Sequence, residues 1–541
     1  MGAPVVRDDD YSKLSILTLA KVASRRLVEA HSETDLGDVC LNIASSPLPV
    51  AKALARRLAA LSISERHYWI GTLYTLMLDP RQRRKQAAYF TPPYLAESLI
   101  DYAIAKGFDL GRHDVLDPAA GGAAFLSLIA NRMLRIGLSE ADIAYRLNGI
   151  EVDPVLARMS ESLIEERLEG YAERQMVHVG DALQAVPLAS YDLVIANPPY
   201  GRIPVGDAVG DHWKKVAHRG HINKYALFAE LCFRLAKPNG LVALVIPSSF
   251  RSGPFYEKMR SFVLSQGQIL ALGSVSNRKD VFADVAQEVS VLVVRKGSAH
   301  RASRDVEFPV FGPSGKRQPA VKGKITTEPS ASWWPPSRYD DARAGATIAD
   351  YGAIAKAGHF VWNREQDKMC SQYDPDARPL VWASNIKAGR KCVPATRQGD
   401  GVDFVKMDRG STAVVTEHAI VLQRTTNNNQ SRRLIAAVVD EAIVARWGGF
   451  VCENHTIVLR GNGKRRMTLL AGLLNTKSVD DRYRAASATS NVSVNLLRQL
   501  DLPHPDLYRA ALKETRDPEK AAELAYARAA AGAPVLEVLA G

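Results

Sequence analysis

The chain has 541 residues, a net charge of +12 and a hydrophobic content of 46%. Those values describe a globular protein of more than one domain and exclude a disordered or fibrous chain. Five scattered cysteines without metal-ligand spacing exclude a disulfide framework, and no apolar run reaches the ~20 residues of a membrane span, so a reducing cytoplasm is expected. Residues 1–10 are net acidic and lack the apolar run of a secretory signal.

Residues 12–80 read as helices. In Leu54-Ala55-Arg56-Arg57-Leu58-Ala59-Ala60-Leu61 the leucines recur at helical spacing with arginines between them. A basic run, residues 81–86, is either a phosphate contact or a solvated linker. It leads into Tyr89-Phe90-Thr91-Pro92-Pro93-Tyr94 and a helix from near Leu95. Val115 to Leu126 then reads as a strand, a turn of small residues and a helix. Small residues admit backbone close to a ligand, and a helix amino terminus favours its negative end. Ile150-Glu151-Val152-Asp153-Pro154 is a second strand ending in acid, which can hold ribose hydroxyls, with a helix from Val155. Val177 to Leu183 is a third, ending at Asp181, which can accept from an adenine amino group. A strand-end Asp also serves as a helix cap.

Tyr191 to Ala196 is the fourth strand, ended by Asn197-Pro198-Pro199-Tyr200. Ligands of open α/β sheets bind at carboxyl ends of strands. There the Asn197 side-chain oxygen and the Pro198 carbonyl can each accept one hydrogen of a planar amino group. Such bonds favour a tetrahedral nitrogen whose localised lone pair attacks a methyl group, while the Tyr200 ring stacks on an extruded base. The loop 201–223 carries Lys214, Lys215 and Arg219, which suit phosphates. His212, His218 and His221 lack an acid or cysteine partner at ligand spacing, so no metal is expected. Leu241 to Pro247 is a buried strand. The expected domains are a helical segment 1–85, a catalytic domain 86–300, a linker 301–340, a recognition domain 341–507 and a helical tail 508–541.

Residues 301–500 hold 30 Lys+Arg against 19 Asp+Glu, while the rest of the chain holds 40 against 39. The basic segment is either a nucleic-acid surface or a solvated face. Strands are expected at Pro379 to Ala383, Ala419 to Thr426 and Glu453 to Leu459. The cluster Arg424, Asn427, Asn428, Arg432 and Arg433 carries the amides and guanidinium groups that pair with purine edges; a surface turn is the alternative.

In order and spacing these motifs resemble the gamma class of S-adenosylmethionine-dependent DNA adenine-N6 methyltransferases of restriction-modification systems. The resemblance implies an α/β fold: a Rossmann-like methyltransferase sheet with helices on both faces, an α+β target-recognition domain and a helical amino-terminal segment. It implies S-adenosyl-L-methionine as cofactor, held by Thr91, Pro92, Asp117, Pro118, Ala119, Gly121, Phe125, Glu151 on the ribose, Asp153, Asp181 on the adenine, Ala182 and Asn197. Asn197, Pro198, Pro199 and Tyr200 hold the target base, and by pattern Phe282 closes its far face, although a core phenylalanine fits Phe282 equally. The family turn usually has a second glycine where this chain has Ala123, which demands an unstrained backbone there. The implied partner is double-stranded DNA, with any cognate endonuclease on a separate chain and the enzyme acting as a monomer. The alternatives are a protein glutamine methyltransferase or an RNA adenine methyltransferase, since a glutamine amide is also a planar nitrogen.

Overall fold

Runs of Val, Ile, Leu and Ala with few charges suit strands covered on both faces, and such runs form the centre of the main sheet. The computed structural model describes residues 11, 13–32, 35–79, 90–168, 173–184, 190–207, 210–275, 289–312, 320–330, 333, 344–371, 374–393, 404–408, 410–425, 432–461, 463–486 and 492–532. The chain divides into two units, Met1–Trp333 and Trp334–Gly541.

In the first unit the strands are β1 (Val115–Asp117), β2 (Leu147–Glu151), β3 (Val177–Val179), β4 (Tyr191–Ala196), β5 (Arg202–Ile203), β6 (Ile222–Asn223), β7 (Ala236–Pro247), β8 (Gly267–Val275), β9 (Val289–Lys296), β10 (Asp305–Phe308), β11 (Val310–Phe311) and β12 (Val321–Lys324). The large sheet runs β12-β10-β8-β9-β7-β4-β1-β2-β3, with β11 beside β8. β3, β2, β1, β4 and β7 are parallel, and β9 is antiparallel between β7 and β8. All four strands expected to end in functional residues therefore present their carboxyl ends on one edge. The helix Pro93–Ala105 precedes β1, the helices Ala124–Arg135, Pro154–Arg167, Lys224–Leu235 and Glu257–Gln266 connect strands, and all five contribute to one apolar core.

The amino-terminal helices belong to this unit. Ile16–Ala30, Pro49–Ala59 and Ile63–Met77 bury Leu19, Leu27, Leu54, Leu58 and Leu73 with Leu156, Met159 and Leu163 of Pro154–Arg167. Ser62 and Glu65 form a reciprocal cap that starts Ile63–Met77. From that helix His67 Nε2 meets Glu166 at 2.8 Å, and the Tyr74 hydroxyl donates to Asp153 at 3.0 Å.

Part of the expected linker is instead sheet. β10 and β12 pair with each other, and β10 also pairs with β8 in the main sheet. Lys106 and the Tyr102 hydroxyl both bond Glu307, which ties β10 to the helix Pro93–Ala105.

The second unit contains β13 (Ala353–Ala357), β14 (Met369–Cys370), β15 (Ala377–Val381), β16 (Phe404–Lys406), β17 (Val414–Val415), β18 (Ala419–Gln423), β19 (Ala436–Val439), β20 (Phe450–Cys452) and β21 (Thr456–Gly461). They form two sheets, β13-β21-β18-β19 and β14-β16-β15-β20-β17. The expected carboxyl-terminal tail is part of this unit's core. Helices Pro505–Thr515 and Pro518–Ala530 bury Tyr508, Ala511, Ala521, Ala522, Ala525 and Tyr526 with Leu470, Leu474 and Leu502. Divided by unit, the charge excess is even: 41 Lys+Arg against 35 Asp+Glu in the first unit and 29 against 23 in the second.

Candidate active site

The carboxyl ends of β1, β2 and β4 and the turn after β3 surround a cleft of about 740 Å³. That is the size range of small-molecule and cofactor sites. Its lining includes Thr91, Asp117, Pro118, Ala119, Gly121, Phe125, Glu151, Asp153, Asp181, Ala182, Asn197, Pro199 and Tyr200. Residues from more than 100 positions apart in sequence thus meet in one cavity. Pro92 and Pro198 do not line it; both are buried. Phe282, Asn427 and Asn428 lie outside the described residues.

The glycine-rich turn is held from both sides. Asp117 Oδ1 accepts from Ala119 N at 3.0 Å, and Glu151 Oε2 accepts from Gly121 N at 3.0 Å. Ser160 donates to the Gly121 carbonyl. Gly121 has φ +52° and Ala123 has φ +55°. Ala123 is therefore in the left-handed region, contrary to the unstrained backbone expected from its side chain. The strain, about 1–2 kcal/mol for an L-residue, is tolerated because the methyl is fully buried at the amino end of Ala124–Arg135.

Burial drives the electrostatics. Asp117 is 1% exposed, and desolvation, with the Glu151 charge adding, pushes its carboxyl up to about 8. Desolvation also raises Glu151, opposed by the backbone hydrogen bonds from Asp153 and Gly121. Glu151 Oε1 accepts from Asp153 N at 2.9 Å, so this side chain shapes the turn as well as facing the cleft. Asp153 caps Pro154–Arg167 through Val155 N and Leu156 N and receives the Tyr74 hydroxyl. Asp181 accepts from Leu183 N at 3.0 Å and Gln184 Nε2 at 3.1 Å.

Asn197 and Tyr200 follow the carboxyl end of β4. The Tyr200 hydroxyl lies 2.8 Å from Asn197 Oδ1 and 3.1 Å from the Val245 carbonyl oxygen. Its ring packs edge-on to Tyr225, with centroids 6.3 Å apart.

Several lining residues were not singled out from sequence: Phe90, Arg202, Lys224 and Phe228 among them. A Cβ on Gly122 would lie 2.0 Å from the Phe90 ring and one on Gly71 would lie 2.4 Å away. Those two glycines let the ring reach the cleft wall. A Phe beside Thr91-Pro92-Pro93 was visible in the sequence, but its glycine clamp joins positions far apart.

The expected phosphate contacts fare unevenly. Lys215 Nζ lies 3.2 Å from Glu230, which also takes His212 at 3.1 Å and Arg234 at 2.8 Å. Glu230 is 1% exposed, so Lys215 neutralises a buried carboxylate. Lys214 pairs with Asp211 on the surface, and Arg219 is exposed. In the second unit, Arg433 is buried at 7% exposure and so does not present a groove-reading guanidinium. Arg432 donates to the Asn475 carbonyl and Arg424 to the Asn454 carbonyl at 3.0 Å.

The cleft suits S-adenosylmethionine. Acids at the ends of β1 and β2 and after β3 match its amine and hydroxyl groups, and Phe90, Phe125, Ile150 and Leu183 match its adenine. A Cβ on Gly180 would meet nothing within 4 Å, which leaves that wall open.

Residues 160–282 match the family model of the Eco57I restriction-modification methylase. The chain is 21% identical over 444 residues to type II methyltransferase M.PstI of Providencia stuartii, across 76% of this chain and 86% of that protein. A shorter match, 32% identical over 136 residues, is to the tRNA1(Val) (adenine(37)-N6)-methyltransferase of Aeromonas hydrophila, across 25% of this chain and 52% of that protein. The structure of the type IIL restriction-modification enzyme MmeI in complex with DNA shares the fold with a TM-score of 0.51 at 12% identity, covering 92% of this chain and 84% of that one. Residues 160–282 are therefore similar to a restriction-modification methylase, and the chain shares its fold with MmeI.

Proposed function

We propose that the protein is a sequence-specific DNA methyltransferase acting on the exocyclic amino group of an extruded adenine. The observation that supports this best is the shared cleft. Asn197, Pro199 and Tyr200 line the same cavity as the β1 turn, Glu151 and Asp181. Bound S-adenosylmethionine supplies an electrophilic methyl on a sulfonium. The chain's own residues do the rest. Asn197 Oδ1 and the Pro198 carbonyl accept the two amine hydrogens and favour a localised lone pair on nitrogen. Tyr200 offers a ring to the base. Glu151 and Asp181 hold the ribose and adenine of the cofactor.

The similarity to a tRNA adenine methyltransferase favours a second reading, methylation of RNA, because the same amide chemistry serves either polymer. Purified protein with labelled cofactor should methylate plasmid DNA and neither transfer RNA nor release factor. Sequencing of DNA from expressing cells should show N6-methyladenine at one motif. Asn197→Ala should abolish transfer while DNA binding persists. Label in transfer RNA alone selects the second reading, and unchanged turnover in Asn197→Ala refutes the mechanism.

A further inference from the structure

Beside the cleft, the loop after β7 carries an exposed aromatic side chain whose backing is built from the catalytic hairpin. Phe255 is 51% exposed. Its ring stacks on His221, with centroids 4.0 Å apart and planes 21° from parallel. His221 in turn packs edge-on to Tyr256 at 5.6 Å, Tyr256 meets Tyr225 at 5.7 Å, and Tyr225 meets Tyr200. A continuous series of ring contacts therefore joins the cleft residue Tyr200 to the surface at Phe255. Among the described residues His221 Nε2 is buried without a hydrogen-bond partner. Desolvation and the charges of Arg202 and His218 hold its pKa down.

The loop is rigid by construction. Arg260, fully buried, donates to the carbonyls of Phe250 at 2.7 Å, Gly253 at 3.0 Å and Pro329 at 2.7 Å. Asn223 Nδ2 donates to the Tyr256 hydroxyl at 3.2 Å. Asn223 pairs across the hairpin with Arg202, which lines the cleft. β7 is parallel to β4, so the loop leaves the sheet on the same edge as Asn197.

We propose that Phe255, backed by the His221 ring, is a base-contacting wedge that stacks on a nucleobase of the duplex next to the nucleotide drawn into the cleft. The inference rests on the DNA reading above. Phe255 does not line the cleft, so the extruded base is not its partner. Arg202 and Arg219 are exposed on the adjoining hairpin, which suits flanking phosphates and disfavours an apolar protein partner. Proteins that distort duplexes commonly place apolar side chains between base steps.

The test uses the full chain and two duplexes bearing the motif found by sequencing, one with adenine at the target position for turnover and one with 2-aminopurine there for fluorescence. Phe255→Ala should raise the KM for DNA roughly tenfold or more, the scale of one lost base–aromatic stack. It should also weaken the 2-aminopurine fluorescence increase, leave cofactor affinity intact and leave the melting temperature within a few degrees. Phe255→Trp should restore both DNA readouts. The defect should shrink on a duplex whose target adenine is mispaired, because extrusion then costs less. Phe255→Ala indistinguishable from wild type on paired DNA overturns the wedge, as does a loss that Phe255→Trp leaves unrepaired. Wild-type protein that transfers no methyl group to DNA instead overturns the DNA reading itself.

Discussion

The Tyr200 hydroxyl has one proton and two acceptors in reach, Asn197 Oδ1 and the Val245 carbonyl. It therefore orients the carboxamide. Tyr200→Phe keeps the ring and deletes that bond, which is worth about 0.5–1.5 kcal/mol. The expected result is a fall in kcat of up to ~10-fold with DNA affinity retained; single-turnover assays with an unchanged rate would show that the bond does not set the amide. Asp117 carries the pH behaviour. Burial holds its carboxyl near 8, so the folded chain keeps a proton that the unfolded chain loses near the usual carboxylate range. Stability of the cofactor-free protein should then fall as pH rises from about 4 to about 8, since the unfolded state binds fewer protons there. Asp117→Asn should flatten that dependence in melting curves taken across the same window. An equal slope in both proteins would show that Asp117 is charged in the fold.

At the scale of elements, the turn after β1 works because three segments agree. Gly71 on Ile63–Met77 and Gly122 on the turn hold the Phe90 ring between them. Gly122→Ala forces the ring away and should cost about 1–3 kcal/mol by overpacking. Cofactor affinity, read by calorimetry, should drop as the cleft wall moves. Phe90→Leu combined with Gly122→Ala should cost less than the two changes added, because the collision is shared. Additive effects would mean that the two sites do not touch. The hairpin of β5 and β6 shows the same logic with charge. Glu230 gathers His212, Lys215 and Arg234, so cations that look like phosphate ligands in sequence partly serve a buried acid.

Across the whole molecule, the last two helices are structural. Tyr526 donates to the Asp501 carbonyl at 2.9 Å, and Glu519 accepts from Ser478 N at 2.8 Å. Deleting residues 505–541 uncovers Leu470, Leu474 and Leu502, each 0% exposed in the intact chain. Losing several such contacts at about 1.5–3 kcal/mol each exceeds a typical domain's reserve. The truncated chain should lose its cooperative melting transition for the second unit, seen by calorimetry; an intact transition would assign the helices to a dispensable tail. The even division of charge between the units also matters. Of the basic window 301–500, residues 301–333 belong to the first unit and hold 6 Lys+Arg against 3 Asp+Glu, while 334–500 belong to the second and hold 24 against 16.

The four strand-end motifs were legible in the sequence because each is local chemistry: an apolar run buried on both faces, then an acid, a small-residue turn or an amide. Their pairing order, β3-β2-β1-β4, was not legible in these runs and is set by the fold. What folding decided rests on distant partners. Phe90 enters the cleft wall because two remote glycines admit it, and Arg433 is buried although its neighbours read as a polar surface. β10 and β12 extend the sheet from a stretch that reads as linker, since an edge strand is selected by its neighbour and not by its own pattern. Ala123 turned left-handed because the Asp117, Glu151 and Ser160 bonds fix the turn more strongly than one methyl resists it. Local residue types thus determined which chemistry the chain carries, and tertiary contacts alone decided which side chains remain available to perform it.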